Sequence, residues 1–363
     1  MSPRRVPGQR AIIDRRALAE EIAALHEADG ERARPAIVKA LRDALDAGRA
    51  ELARRLAETP SAGHDVTGGF SFLMDQLLRV IHDHVTTHLY PVPNPTQAER
   101  LAILAVGGYG RAEMAPHSDV DVAFITPHKR APWCEQVIET MLYLLWDLGL
   151  KVGHSSRTIA DTIRMAKEDL TIRTALLESR LVWGEQTLYE ELRGRFWTDV
   201  AKGSERQFLT QKLAERDARH KRMGDSRYVV EPNIKEGKGA LRDLQTLYWI
   251  GKYIHRVDNG AQLVDVGLLT ANEYRSFRRA EGFLLAVRCH MHLITDRAED
   301  RLTFDLQRAV AERMQFADRP GKSAVERFMQ YYFLQVKRVG SLTGVFLAHL
   351  DEEFAKKRPR TGF

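Results

Sequence analysis

The feature that most constrains this chain is a short apolar run, Leu101-Ala-Ile-Leu-Ala-Val106, which ends in Gly107-Gly108 and is followed by Ser118-Asp119-Val120-Asp121. The run reads as a buried strand that stops at the glycines. Glycine tolerates positive φ and has no Cβ, so Gly107 and Gly108 let the backbone turn sharply and bring its N–H groups against an anion such as a triphosphate. Tyr109 to Met114 fits one or two helical turns, whose first N–H groups add to that attraction. A second strand is expected over Val120 to Ile125, with Asp119 and Asp121 on one face and Val120 and Val122 on the other.

Two carboxylates side by side repel each other unless a cation neutralises them. Hard oxygen ligands suit Mg²⁺, or Mn²⁺ in its place, and Mg²⁺ normally keeps waters and binds substrate phosphates as well. Asp119 and Asp121 are therefore the candidate metal ligands and catalytic residues. Gly107 and Gly108 are the candidate phosphate turn, with Arg111 and Ser118 as candidate helpers on the nucleotide. Strand, glycines, short helix and a strand with Asp-x-Asp, in that order, imply metal-assisted nucleotidyl transfer.

The stretch Ala105-Val-Gly-Gly-Tyr-Gly-Arg-Ala-Glu-Met-Ala-Pro-His-Ser-Asp-Val-Asp-Val122 resembles the signature of the bacterial PII uridylyltransferase/uridylyl-removing family, within the DNA polymerase beta superfamily. Pro93-Asn94-Pro95, Leu148 to Thr158, Val230 to Gln245, Leu302 to Gln307 and Tyr331 to Thr343 are similar to further segments of that family, so the resemblance runs from about residue 70 to about 355. It implies UTP as substrate, Mg²⁺ as cofactor, the PII signalling protein as partner, and UMP transfer to a tyrosine hydroxyl with release of pyrophosphate. The choice of UTP rests on the resemblance alone. The family enzyme continues into HD and ACT domains that this sequence does not contain. The expectation is transfer without hydrolytic removal of UMP if the chain is whole, and both activities in the parent if it is a fragment.

Members of the superfamily commonly add a third carboxylate from a later strand. The candidate strand, Leu150 to Thr158, carries Gly153, His154, Ser155 and Ser156 but no acid, so the third ligand is unassigned. His154 stands instead as a candidate base or phosphate contact, Glu236 or Asp243 as acids that could reach the site from the helical domain, and Ala240 occupies a position where the resemblance leads one to expect glycine. Around it, Pro232, Gly237 and Gly239 make a charged loop ahead of a helix over Leu241 to Ile254. Its Lys235 and Arg242 are candidate nucleotide-binding residues, with Lys238 beside them.

The fold class expected is α+β: a small mixed sheet with helices, flanked by N-terminal helices and a C-terminal helical bundle. The expected divisions are 1–92 helical, 93–168 nucleotidyltransferase core, 169–355 helical domain and 356–363 basic tail. Helices are read over Ala17 to Glu27, Pro35 to Glu58, Phe70 to Leu89 and, after Thr158, almost throughout, including Leu170 to Val182. Phe328, Tyr331, Tyr332 and Phe333 read as bundle core. His84 and His88, four apart, and the His82-Asp83 dipeptide lack the further ligands a metal site needs.

The 363 residues, 44% hydrophobic and 29% charged, allow two domains with ample core. No uninterrupted apolar stretch of about eighteen residues and no signal peptide are present, which excludes a membrane span and points to the cytoplasm. Cys134 and Cys289 are the two cysteines and read as reduced core thiols. The net charge of +6 includes Arg4, Arg5 and Arg10 near the start and Lys356, Lys357, Arg358 and Arg360 near the end. It suits an anionic ligand, but no basic and aromatic residues interleave as in an RNA-recognition module, so a nucleic-acid partner is disfavoured. Two other readings stand beside the main one: a noncatalytic nucleotide- or PII-binding module, and a nucleotidyltransferase with RNA or another protein as acceptor.

Overall fold

The protein is described by a computed structural model over residues 6–356. Arg4, Arg5, Lys357, Arg358 and Arg360, read above as tail cations, lie outside the described residues. The chain divides into two compact units. One takes in residues up to Glu58 together with His64–Gly203, and the other Thr59–Gly63 with everything from Ser204 onward.

The first unit is built on four strands: β1 (Ala102–Ala105), β2 (Val120–Thr126), β3 (Val152–Thr158) and β4 (Arg180–Gly184), in the order β3-β2-β1-β4. β1 pairs antiparallel with both β2 and β4, and β2 pairs parallel with β3, so the sheet is mixed as expected. The parallel pair needs a crossover, supplied by the Pro132–Asp147 helix. Proline opens that helix, and Gly149 at φ +75°, which suits a residue without a Cβ, turns the chain back after it. β1 is buried at every residue, and β2 at all but Asp121.

β4 differs from the sequence reading, which ran a single helix over Leu170 to Val182. The helix spans only Leu170–Leu177, and the sheet extends beyond the expected 93–168 core. Helical periodicity in Leu170–Leu177 continues into Arg180-Leu-Val-Trp-Gly184, a run equally fit for a strand, and pairing with β1 decides between them. Helices Arg15–Asp29, Arg34–Glu58 and Gly63–His84 precede the sheet. The last of these reaches β4, where Arg79 Nε donates to the Val182 carbonyl at 3.0 Å and Asp83 accepts from Trp183 Nε1 at 2.6 Å. Asp83 of the His82-Asp83 dipeptide thus anchors a tryptophan.

The second unit is helical: Glu205–Arg222, Leu241–His255, Ala271–Thr295, Phe304–Arg313 and Ala324–Lys356. Thr270 and Glu273 form a reciprocal capping box at the start of the third. Phe208 and Tyr253 stack at 3.9 Å between ring centres; of the aromatic cluster read as core, Phe328 and Tyr332 are fully buried, while Tyr331 and Phe333 are half-buried. Cys134 and Cys289 are unbridged and buried, and burial pushes their thiols up to about 11 and about 12. Among the described residues no helix is long and apolar enough to cross a membrane.

His84 and His88 do gain a third imidazole. His26, from Arg15–Asp29, brings its ring centre to 5.5 Å and 5.0 Å from theirs. Among the described residues, however, no three His, Cys, Asp or Glu side chains are disposed to hold a metal ion. Burial, then the neighbouring His88 and His26, lowers His84 to about 4. Its neutral form is the folded form, so the unfolded chain takes up a proton near pH 6.5 that the folded chain refuses until about 4. Stability is full above pH 6.5 and declines as pH falls through that window, by at most about 3–4 kcal/mol at 1.36 kcal/mol per pH unit. Thermal melting between pH 6.5 and 5 should show a smaller acid loss in His84→Leu than in the wild type; equal losses would contradict this.

Candidate functional site

The glycine turn is held from beneath by a buried ion pair. Tyr109, inside Gly107-Gly108-Tyr109-Gly110, donates its hydroxyl to Asp75 Oδ1 at 2.7 Å. Arg180 donates to the same carboxylate, at 2.7 Å to Oδ2 and 3.0 Å to Oδ1, and to the Tyr109 carbonyl at 3.2 Å. Asp75 and Arg180 side chains are each 6% exposed. Burial works against the Arg180 charge, but Asp75 more than restores it, so its pKa is raised; burial and then Asp75 push the Tyr109 hydroxyl well up. Asp75, Tyr109 and Arg180 come from a helix, the turn and β4, and the sequence reading named none of them for this role.

Above this anchor, the turn is one helical turn, Gly107–Gly110, shorter than the expected Tyr109 to Met114 helix because Ala112 adopts a left-handed conformation at φ 59°. Gly107 is itself left-handed at φ +60°, and a Cβ there would stand 3.1 Å from Asp121 Oδ2. The N–H groups of Gly107 and Gly108 find no backbone acceptor among the described residues, as the first donors of any helical turn do not.

Asp121 faces Gly153 across the β2–β3 ladder, and a Cβ on Gly153 would stand 2.4 Å from Asp121 Oδ1. The Asp121 carboxylate therefore fills space that two glycines leave empty. Asp119 lies two residues earlier on the same face, 43% exposed, with Lys151 Nζ 3.3 Å from its Oδ1. His154 pairs with Val122 and so projects to the other face, where its ring centre lies 6.1 Å from that of Trp146. The register brings together Asp119, Asp121, Gly107 and Gly153 and leaves His154 out.

Arg111 and Ser118 sit in the segment between turn and β2 but are engaged locally. The Arg111 guanidinium, 9% exposed, binds Glu113 at 3.0 Å and also Glu178, and although burial opposes its charge these carboxylates raise its pKa. Ser118 Oγ accepts the Ala115 N–H at 2.9 Å, closing the bend that delivers the chain to Asp119.

Lys235 and Arg242 belong to the second unit. Arg242 donates to Glu236 at 3.0 Å and Gln245 at 2.8 Å. Lys235 is half-buried, and burial, then Arg288, lowers its pKa. Asp243 accepts from Arg219, from His220 at 2.9 Å and from the Gly239 N–H at 2.7 Å; burial alone would raise its pKa, but these donors lower it. Close approach in this loop falls on Gly237 and Gly239, where a Cβ would meet the Asn233 and Val336 carbonyls, each at 2.5 Å, and not on position 240.

The carboxylate pair suits a hard divalent cation that completes its shell with water and phosphate oxygens. A closed protein cage would need more acids than are present together among the described residues.

Known proteins resemble this chain along its length. The profile of the family described as GlnD PII-uridylyltransferase matches residues 207–347, and that of Putative nucleotidyltransferase DUF294 matches residues 47–161. The bifunctional uridylyltransferase/uridylyl-removing enzyme of Erythrobacter litoralis is 70% identical over 362 residues, covering 100% of this chain and 39% of that protein. Its namesakes from Novosphingobium aromaticivorans and Rhodospirillum rubrum are 68% and 52% identical over 98% of this chain, covering 39% and 38% of those proteins. The chain thus spans about two-fifths of the length of these relatives, and the family likeness seen in the motifs holds along all of it.

Two substitutions test this construction. Asp75→Ala should destabilise the fold by about 3–5 kcal/mol in chemical unfolding, because it leaves the Arg180 charge buried and uncompensated; a loss under about 1 kcal/mol would contradict the anchor. Gly153→Ala lies on an exposed edge position. It should leave the melting temperature unchanged while weakening Mn²⁺ binding, followed by titration, about tenfold, since a misplaced ligand is costly. Unchanged Mn²⁺ affinity would show that Asp121 does not depend on the gap.

Proposed function

We propose that this chain is the nucleotidyl-transferring part of a PII uridylyltransferase, moving UMP from UTP onto a tyrosine hydroxyl of the PII nitrogen-regulatory protein in the cytoplasm. The observation that carries the reading is the Asp121 carboxylate set between Gly107 and Gly153, with Asp119 on the same face. The names of the relatives support the uridylyl group, and the description of the matching family supports PII as acceptor.

In this reading Asp119 and Asp121 would hold Mg²⁺, which would neutralise phosphate charge and lower the pKa of the attacking hydroxyl. The Gly107 and Gly108 N–H groups would donate to the phosphates. Arg111 and Ser118 serve the nucleotide by fixing the turn and the approach to Asp119. Lys235, in the second unit's charged loop, and Arg242, in the first turn of the helix that follows it, stay as proposed nucleotide-binding residues. The tyrosine oxygen forms a bond to the α-phosphorus as the bond to the bridging oxygen breaks. Pyrophosphate leaves with the electron pair, and the phenolic proton passes to water.

The absence of a third acid among the described residues favours one competing reading, a noncatalytic nucleotide-binding module. Incubating the purified chain with PII, Mg²⁺ and each labelled nucleoside triphosphate separates the two. Label should appear on a PII tyrosine with UTP and fall at least about a hundredfold in Asp119→Asn and Asp121→Asn, whose charges act mainly in the transition state. Nucleotide binding without labelled PII would favour the noncatalytic reading, and label on RNA in a mixed incubation would assign another acceptor.

A further inference from the structure

Lys151 did not figure among the candidate residues, yet the fold delivers it to the carboxylate pair. After the Pro132–Asp147 helix, the left-handed Gly149 turns the chain and Leu150 is buried at 8% exposure. Alternation then sends the next side chain the other way. The Val120 N–H donates to the Lys151 carbonyl at 2.8 Å, and Val120 pairs with Val152, so the parallel ladder begins at this point. The same register sets Gly153 opposite Asp121. Lys151, just before β3, and Gly153 within it thus lie on the face that meets the two aspartates, one bringing a cation and the other leaving the room that the Asp121 carboxylate takes.

The ion pair itself is weak. Lys151 is 84% exposed, its Nζ lies 3.3 Å from a single Asp119 oxygen, and exposed pairs of this kind contribute little to stability. A divalent cation drawn to both carboxylates outcompetes one ammonium for Asp119. The displaced Lys151 stays tethered to the edge strand on a flexible four-carbon stem, within reach of whatever anion the cation brings with it.

Building on the nucleotidyltransferase reading, we propose that Lys151 is a nucleotide-binding residue with two successive partners. Without metal it is the counter-ion of Asp119. When the metal–nucleotide binds, it yields that carboxylate and pairs with the phosphates that depart as pyrophosphate. A surface lysine without this role leaves both metal and nucleotide affinity alone. A lysine with it has opposite effects on the two, because it competes with the metal and assists the triphosphate.

Titration of the full chain with Mn²⁺ alone, and then with UTP at saturating Mn²⁺, tests this in the wild type, Lys151→Met, Lys151→Arg and Asp119→Asn. Lys151→Met should bind Mn²⁺ about threefold more tightly, the size expected from removing one exposed charge pair. It should bind UTP about tenfold more weakly, the size of one charge-assisted hydrogen bond. Lys151→Arg, keeping the charge, should restore UTP affinity to within about threefold of the wild type. Failure of either shift in Lys151→Met overturns the proposal. Asp119→Asn guards the underlying reading: if it still binds Mn²⁺ as the wild type does, the carboxylate pair is not the metal site. If it loses Mn²⁺ while Lys151→Met matches the wild type, only the role of Lys151 fails.

Discussion

The Asp75 carboxylate, buried under the glycine turn, is the contact on which the rest of the site depends. It joins a helix, the turn and the last strand of the sheet through Tyr109 and Arg180. A glycine-rich turn has little side-chain packing of its own to hold it, and glycine loses more conformational freedom on ordering than other residues. Tyr109 gives this turn a large buried ring and a hydrogen-bonded hydroxyl, and Arg180 fixes its carbonyl as well. The conformation that frees the Gly107 and Gly108 N–H groups is set by interactions on the side of the turn away from them.

Charge is arranged in two layers. The buried layer, Asp75 with Arg180 and Arg111 with Glu113 and Glu178, is internally paired and structural. The more accessible layer, Asp119 and Asp121, places two carboxylates on one face, Asp121 in the room two glycines leave and Asp119 beside one loosely held lysine. Burying a charge is tolerable only with a partner, whereas an accessible carboxylate pair attracts a mobile cation. The division separates residues that hold the site from those offered to a ligand.

What was legible in the sequence was local. Strand, glycines and Asp-x-Asp fall within one short stretch, and glycine and alternation arguments act over single residues, so β1, the turn and the face shared by Asp119 and Asp121 were readable. The partners of Tyr109 were not: Asp75 and Arg180 lie 34 residues before and 71 residues after it. The Glu178 partner of Arg111, 67 residues on, leaves no mark near the motif, so the ion pair holding that guanidinium was not readable either. β4 read as helix because pairing with β1, not propensity, determines it. Lys151 and Gly153 emerged as site residues once the parallel register was known, since register assigns each a partner and a face.

The central claim is that the Asp119–Asp121 face, with the glycine turn beside it, seats a metal-bound nucleoside triphosphate. Crystals grown with Mn²⁺ and a non-hydrolysable UTP analogue test it directly through the anomalous signal of manganese. A manganese peak is expected at coordination distance, about 2.1–2.2 Å, from carboxylate oxygens of both Asp119 and Asp121, with phosphate oxygens on the same ion and against the Gly107 and Gly108 N–H groups. A triphosphate bound elsewhere, with no manganese on the two aspartates, would contradict it.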